Sequence, residues 1–404
     1  GKDKPVTFHT RIRSSGYGKA PAHTKLFGGK GGRRGQAPRR KRLDLANSAG
    51  EQVQYPTVEE LSFGAATPCS ARLANGPITG MCFARDAKVI GVCGADGSAT
   101  SSRLPVSRDK KKAQYMGHEG PVTAIDWNHG QQLQLLLTSS DDGKARVWKR
   151  NRPAAVLELV PGPPGSAGAA SAPGAVPAKG KSTTLRPAIK ASKFFYVDKF
   201  ILMAVANRLE LHKYAVDHLT DEKNDLRRLQ NHSRHRLVKS WEQPSQTINS
   251  IACVNSFFSH TVITAGSNRG IQVYDLGVGQ LATSIDQAHA RAVHSVVLPT
   301  VSEYTSLPNN VYDVFATGST DGSAKVWDLR EGKCVRRFQD HANRVQTVGM
   351  AFSPCMRYFA CGSENKTCLV YDLRNGQVLD KLRGHTDTVT SVAFNPRYPQ
   401  LATG

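Results

Sequence analysis

Two sets of four residues have the side-chain types that acid–base chemistry requires. They are His118, Thr138, Asp142 and Trp148, and His289, Thr317, Asp321 and Trp327. A histidine oriented by a carboxylate and bonded to a hydroxyl is the arrangement of a general base that activates a nucleophile. The same arrangement also satisfies both nitrogens of a buried imidazole, and the carboxylate then fixes its tautomer. Because the set recurs at a repeat spacing, we expect the structural role.

Other signatures of chemistry do not appear in the sequence. Residues 28–32 are glycine-rich around Lys30, but no Ser or Thr follows that lysine and no strand–helix frame surrounds it. The eight cysteines form no CxxC pair and no zinc-like spacing, which favours reduced thiols in a cytosolic or nuclear protein. We therefore predict no enzymatic activity, no cofactor and no metal site.

The elements that position the histidines belong to a repeat of about forty residues. Each copy opens on Gly-His or a related pair and closes on Trp-Asp or a related pair, and one begins at Gly384-His385 shortly before the last residue, Gly404. This pattern resembles the WD-repeat family, in which each repeat forms a four-stranded blade of a β-propeller. The resemblance implies an all-β, seven-bladed WD-repeat β-propeller. The blades are counted from Ile78, Val122, Phe194, Ile248, Val293, Val345 and Val389.

The seventh blade is incomplete in this chain. We expect a closing strand from beyond Gly404 or from the N-terminal side, and we interpret the chain as part of a longer protein. Two blades also depart from the family pattern: Cys361, Asn365 and Tyr371 replace relay residues in one, and Arg269 replaces the turn aspartate in another. We expect these blades to lose the hydrogen-bonded relay and to depend on packing.

The composition divides the chain into two parts. Residues 1–60 are rich in Gly, Pro, Lys and Arg and show no strand or helix period, which predicts an extended basic arm that is disordered unless bound. Residues 61–404 carry the propeller. Flexible insertions are predicted over 161–192, from its Gly/Ala/Pro/Ser content, and over 217–239, from its polar and basic content.

The net charge of +22 points to an acidic partner, and nucleic acid, acidic protein tails and anionic membranes all satisfy it. Residues 1–50 contain thirteen Lys and Arg against two Asp, a net charge of +11. We predict that the arm binds its partner through spaced aromatic side chains and a cationic cluster. These residues are Phe8, Tyr17, Phe27, Arg33, Arg34, Arg39, Arg40, Lys41 and Arg42.

A short motif suggests a second kind of partner. Asp328 and Arg330, and likewise Asp372 and Arg374, resemble the Trp-Asp-x-Arg box by which some propellers dock onto a cullin ubiquitin ligase, although Tyr371 weakens the second copy. The sequence thus predicts a non-catalytic scaffold in a large assembly, with microtubules or a ciliary complex as the preferred setting. A ligase substrate receptor and an RNA-associated propeller are the alternatives. The cytoplasm is the expected compartment and the nucleus the alternative.

Overall fold

The computed structural model describes residues 71–106, 112–130, 134–162, 186–216, 230, 232–257, 259–300 and 313–404, together with the backbone at 45–46 and 52–53. The chain divides into two units, Gly1–Gln54 and Tyr55–Gly404. In the first unit, β1 (Leu45–Ala46) pairs antiparallel with β2 (Gln52–Val53). The predicted partner-binding residues of the arm lie outside the described residues.

The second unit consists of antiparallel strands that pair in chain order. Four consecutive strands form each of six blades, and two more form a smaller sheet. Blade 1 contains β3 (Ile78–Phe83), β4 (Val89–Gly94), β5 (Ser98–Arg103) and β6 (Ala113–Met116). Blade 2 contains β7 (Val122–Trp127), β8 (Leu135–Ser140), β9 (Ala145–Lys149) and β10 (Ala155–Leu159). Blade 3 contains β11 (Ile189–Phe195), β12 (Phe200–Val205), β13 (Arg208–Ala215) and β14 (Arg234–Glu242). Blade 4 contains β15 (Ile248–Cys253), β16 (Thr261–Gly266), β17 (Ile271–Asp275) and β18 (Gln280–Ile285). Blade 5 contains β19 (Val293–Val297), β20 (Val314–Ser319), β21 (Ser323–Asp328) and β22 (Lys333–Phe338). Blade 6 contains β23 (Met350–Phe352), β24 (Tyr358–Gly362), β25 (Thr367–Asp372) and β26 (Val378–Arg383). The smaller sheet pairs β27 (Val392–Phe394) with β28 (Leu401–Thr403).

Burial changes from strand to strand across each blade. The second strand is buried along nearly its whole length, as in β8 and β24, because a neighbouring blade packs on each face of the sheet. The fourth strand is more exposed in blades 4 and 6, as in β18 and β26, whereas β10 of blade 2 is mostly buried. The apolar core therefore lies between adjacent blades.

The smaller sheet packs between the sixth blade and the first. Strand β27 contacts both β23 and β3. The Thr390 hydroxyl donates a hydrogen bond to the carbonyl of Ile78, and the Asn395 side-chain amide donates to the carbonyl of Ala87 at 3.2 Å. The described chain thus shows an all-β propeller with six complete blades, and the predicted count of seven includes this two-stranded sheet as the last.

The structure corrects three boundaries predicted from sequence. Strand β11 occupies the end of the predicted insertion 161–192, and β14 occupies the end of the predicted insertion 217–239. Strand β14 is an outer strand whose side chains alternate in exposure, so its basic residues face solvent and its composition resembles a loop. Val345, predicted to begin a blade, is 82% exposed in the loop before β23.

Candidate functional site

The two predicted four-residue sets form hydrogen-bonded relays of the same geometry. In blade 2, His118 Nδ1 lies 3.0 Å from Asp142 Oδ2, and His118 Nε2 lies 2.8 Å from Thr138 Oγ1. The indole N–H of Trp148 donates to the same Thr138 oxygen at 2.8 Å. In blade 5, His289, Asp321, Thr317 and Trp327 repeat these distances of 3.0, 2.8 and 2.8 Å.

The relay leaves no group available for acid–base catalysis. An indole N–H can only donate, so the threonine oxygen accepts from tryptophan. The aspartate carboxylate can only accept, so the hydrogen between it and the imidazole belongs to histidine, and Nε2 of the neutral ring accepts from the threonine hydroxyl. Histidine then carries its proton on Nδ1 and donates it to the aspartate. Burial lowers the pKa of both His118 and His289, which keeps the imidazoles neutral at neutral pH. Each relay therefore joins the loop before the first strand of its blade to the second and third strands of the same blade.

The aspartates of both relays also fix the tight turns between the second and third strands. Asp321 accepts the backbone N–H of Ala290 at 3.1 Å and of Ser323 at 2.9 Å, and the Ser323 hydroxyl at 2.7 Å. Although burial raises it, these hydrogen bonds lower the pKa of Asp321 to about 2. Gly322 follows with φ of 79°, a conformation that glycine adopts without steric cost.

The blades that depart from the pattern behave differently from one another. In blade 6, both ring nitrogens of buried His341 have no hydrogen-bond partner among the described residues, so the predicted loss of the relay is correct there. Blade 4 also loses the relay, since the Tyr274 hydroxyl donates to Gln272 and not to Thr264, but one hydrogen bond to the threonine remains. The Gln243 amide takes the histidine's place and donates to Thr264 Oγ1 at 2.7 Å in a buried position. The two-stranded sheet keeps a histidine contact, with His385 Nε2 2.7 Å from Thr403 Oγ1.

Blade 3 replaces the relay by a buried ionic cluster that the sequence did not reveal. By strand register, Met203 and His212 hold the positions of the relay threonine and tryptophan. The carboxylate of Glu210, fully buried, lies 2.9 Å from His212 Nε2 and 3.2 Å from Arg208 Nη1. It also accepts the backbone N–H of Gly162 at 3.1 Å. Among the described residues, His212 Nδ1 has no hydrogen-bond partner, so the cluster ties together Arg208, Glu210, His212 and the backbone at Gly162 without reproducing the relay.

A central cavity of about 1240 Å³ is the main concave feature of the described propeller. Side chains from β3, β7, β11, β15, β19, β23 and β27 line it, together with the loops that follow these strands. In its wall, Lys193 Nζ lies 2.9 Å from Asp126 Oδ1, and the second oxygen of Asp126 accepts the backbone N–H of Phe194 at 2.9 Å. This carboxylate is thus fully engaged.

Two cysteines near this ion pair do not provide a reactive thiol. Burial raises the pKa of Cys82 to about 11 and that of Cys253 to about 12. Both thiols therefore stay protonated at neutral pH and are weak nucleophiles. Within the described ranges, no group of three or more His, Cys, Asp or Glu side chains is arranged to hold a metal ion.

The loop between β11 and β12 has a strained backbone at the edge of the cavity. Tyr196, Val197 and Asp198 have φ of 53°, 53° and 60°, in the left-handed region that costs an L-residue about 1–2 kcal/mol each. Neighbouring blades clamp the loop through Asp198. Its carboxylate accepts the His129 backbone N–H at 3.0 Å and the Asn255 side-chain amide at 2.6 Å.

This clamped loop presents apolar surface beside cations. Val197 is 48% exposed, and Phe257 of the next blade is 46% exposed. The Tyr196 ring packs at 5.4 Å from the Phe257 ring. We name as the channel mouth the part of the cavity lined by Arg85, Lys193, Val197, Lys199, Lys213, Phe257 and Arg397. Sequence analysis missed it because no glycine marks the turn and its residues come from separate loops.

The aspartates of the predicted ligase motif, Asp328 and Asp372, end the third strands of blades 5 and 6, and the arginines follow two residues later. The guanidinium of Arg330 is exposed but already pairs with Asp328 at 3.0 Å and lies 3.8 Å from Asp313. Arg374 donates its backbone N–H to Asp372 at 2.8 Å, and its carbonyl accepts from Arg336 at 2.7 Å. The structure therefore places the two motifs in neighbouring blades, with local partners for each.

Comparison with known proteins matches parts of the chain. The model described as WD domain, G-beta repeat matches residues 109–149, 282–328, 332–372 and 376–404. Human striatin is 29% identical over 132 residues, 31% of this chain and 16% of striatin. A WD repeat-containing protein 55 homolog from Dictyostelium discoideum is 25% identical over 154 residues, covering 37% of this chain and 30% of the relative.

A third relative matches a shorter part of the chain. Zebrafish protein transport protein Sec31A is 29% identical over 102 residues, 25% of this chain and 8% of that protein. The chain therefore spans less than a third of the length of each of these relatives. In the part of the chain that the structure describes, no helix is long and apolar enough to cross a membrane.

Proposed function

We propose that this WD40-repeat β-propeller is a non-catalytic scaffold that holds protein partners in a multi-subunit assembly. The observation that carries the proposal is the channel mouth, where exposed Val197 and Phe257 lie among cationic side chains. Exposed apolar groups with flanking charge are typical of surfaces that bind proteins. The His–Asp pairs, which could suggest catalysis, are occupied in holding the blades.

The setting that we propose is the cytoskeleton, with microtubules or a ciliary complex as the acidic surface. Support comes from the net charge of +22 and from the concentration of half of it within residues 1–50. A basic arm speeds encounter with acidic protein tails and keeps the chain near them. The relatives carry names as different as striatin and protein transport protein Sec31A, so the names do not point to one setting, and the proposed setting depends on the charge.

Two alternatives follow from other features of the chain. A substrate receptor of a cullin ligase would use Arg330 and Arg374, and docking would require the Arg330 guanidinium to leave Asp328. An RNA-associated propeller would use the same cationic arm. A ligase receptor would be found with the ligase adaptor, and an RNA-associated propeller would be found with ribosomes.

Two finer points belong to the same proposal. We interpret the β27–β28 sheet as the inner half of a seventh blade, since its first strand lines the cavity beside the first strands of the six blades. We also propose, from the sequence of residues 4–10, 194–198 and 384–389, that the member of the WD-repeat family that this chain most resembles is WD repeat-containing protein 27.

Localisation and co-purification of the tagged full chain test the proposed function. We expect the protein along microtubules or cilia, and we expect it to elute with partner proteins in a complex much larger than the chain itself. Nuclear or ribosomal localisation with recovery of RNA would favour the RNA alternative. Recovery as a free monomer in every compartment would contradict a scaffold.

A further inference from the structure

We propose that the channel mouth binds an acidic peptide segment of a partner that carries a large apolar side chain. This inference rests on the proposed scaffold function and names the class of partner for one of its surfaces. It follows from four properties of the mouth: its apolar rim, its excess of positive charge, its strained and clamped loop, and its size.

The apolar rim provides the anchor site. Val197 and Phe257 come from loops of adjacent blades and are each about half exposed. Tyr196 packs against Phe257, and its ring also stacks on His260 at 5.7 Å, so the aromatic surface is held in place before a ligand arrives. Rigid aromatic surface of this kind binds a partner's apolar side chain with little loss of conformational entropy.

The charge around the rim selects the flanking residues of the ligand. Arg85, Lys199 and Lys213 are exposed, Arg397 is half-buried, and Lys193 lies in the wall. The two carboxylates among the described lining residues are occupied: Asp126 by Lys193 and the Phe194 N–H, and Asp198 by His129 and Asn255. Among the lining residues that the structure describes, five cations face two carboxylates, and with Lys193 already paired to Asp126 the remaining excess of positive charge favours a segment rich in Asp and Glu.

The strained loop indicates a functional role for this surface. Valine is β-branched, and a positive φ at such a residue is a rare conformation that persists only when the surroundings enforce it. Here the enforcing contacts are those of Asp198 with two neighbouring blades. A cavity of about 1240 Å³ exceeds the size of a typical small-molecule pocket, so it has room for a peptide segment.

Selection of displayed random peptides on the purified full chain tests this inference. We expect enriched peptides that combine several Asp or Glu with one aromatic or large aliphatic residue. Binding of a fluorescent selected peptide, followed by anisotropy, should weaken about tenfold or more in Phe257→Ala. Lys199→Glu should weaken it several-fold, and this effect should shrink at high salt.

Matched variants separate the mouth from the rest of the surface. Val345→Ala removes an exposed apolar side chain from the loop before β23, on the other end of the propeller, and should leave binding unchanged. Val197→Asn tolerates the left-handed backbone and removes the apolar contact, so it should weaken binding without lowering the melting temperature. Val197→Asn still tests the apolar contact if Phe257→Ala fails to fold.

Three outcomes would overturn the inference. They are enrichment of basic or uncharged peptides, equal effects of Phe257→Ala and Val345→Ala, and an oligouridylate that binds the mouth where no acidic peptide does. The last outcome would assign the mouth to nucleic acid. If the mouth fails these tests while the full chain still localises with its protein assembly, only the present inference is rejected and the scaffold function stands.

Discussion

Replacing Glu210 by Gln tests the buried ionic cluster that stands in for the relay in blade 3. The carboxylate is fully buried and lies within 3.2 Å of Arg208 Nη1, His212 Nε2 and the backbone nitrogen of Gly162. Removal of one partner from a buried ion pair costs about 3–5 kcal/mol, because the remaining charge is left unpaired. At about 2–4 °C for each kcal/mol, the melting temperature should fall by about 6–20 °C.

Glu158→Gln is the matched control in the neighbouring blade. Glu158 also pairs with two cations, Lys144 at 2.7 Å and Arg146 at 3.3 Å, but its side chain is 40% exposed. A solvent-exposed pair contributes about 0–1 kcal/mol. Thermal and urea unfolding of both variants at neutral pH would measure the difference. Equal destabilisation, or a larger effect of Glu158→Gln, would refute the reasoning that burial makes the Glu210 cluster structural.

Three further predictions concern stability, pH and docking. Trp327→Ala should destabilise by about 3–5 kcal/mol and Tyr274→Ala by less, since only Trp327 donates to a relay threonine; equal melting shifts would argue against the relay. Burial lowers the pKa of His294 to about 4, so the unfolded chain binds more protons below about pH 6.5, and stability should fall as pH drops from there toward 4. His294→Gln should reduce that slope in acid-melting curves, and an unchanged slope would exclude His294 as its source. Arg330→Ala with Arg374→Ala should leave the melting temperature nearly unchanged, and only a ligase receptor would lose its adaptor from the co-purified material.

The sequence predicted the blades because their determinants are local. The His, Thr, Asp and Trp of blades 2 and 5 must recur at fixed positions to satisfy one buried imidazole, and that regularity is visible without a structure. The motif did not show the one hydrogen bond that remains in blade 4, because Gln243 donates it to Thr264 from a position that no motif marks. A polar side chain that replaces a relay histidine can be recognised only once the strand register is known.

The channel mouth could not be predicted for a related reason. Val197 and Phe257 are far apart in sequence and meet because adjacent blades place their loops side by side. A left-handed turn is usually signalled by Gly, Asn or Asp, whereas this one includes Tyr196 and Val197 and is enforced by tertiary contacts of Asp198. Its position in the fold, more than its composition, defines the surface.

Co-sedimentation with microtubules tests the central proposal, a scaffold that attaches to an acidic protein surface. The full chain would be compared on intact microtubules and on microtubules whose acidic tails have been removed, at low and high salt, beside a variant lacking residues 1–60. We predict salt-sensitive binding to intact microtubules that weakens strongly on tail removal or arm deletion, while the melting temperature of the propeller stays almost unchanged. Binding that is indifferent to salt and to the tails, or an arm deletion that unfolds the propeller, would contradict the account.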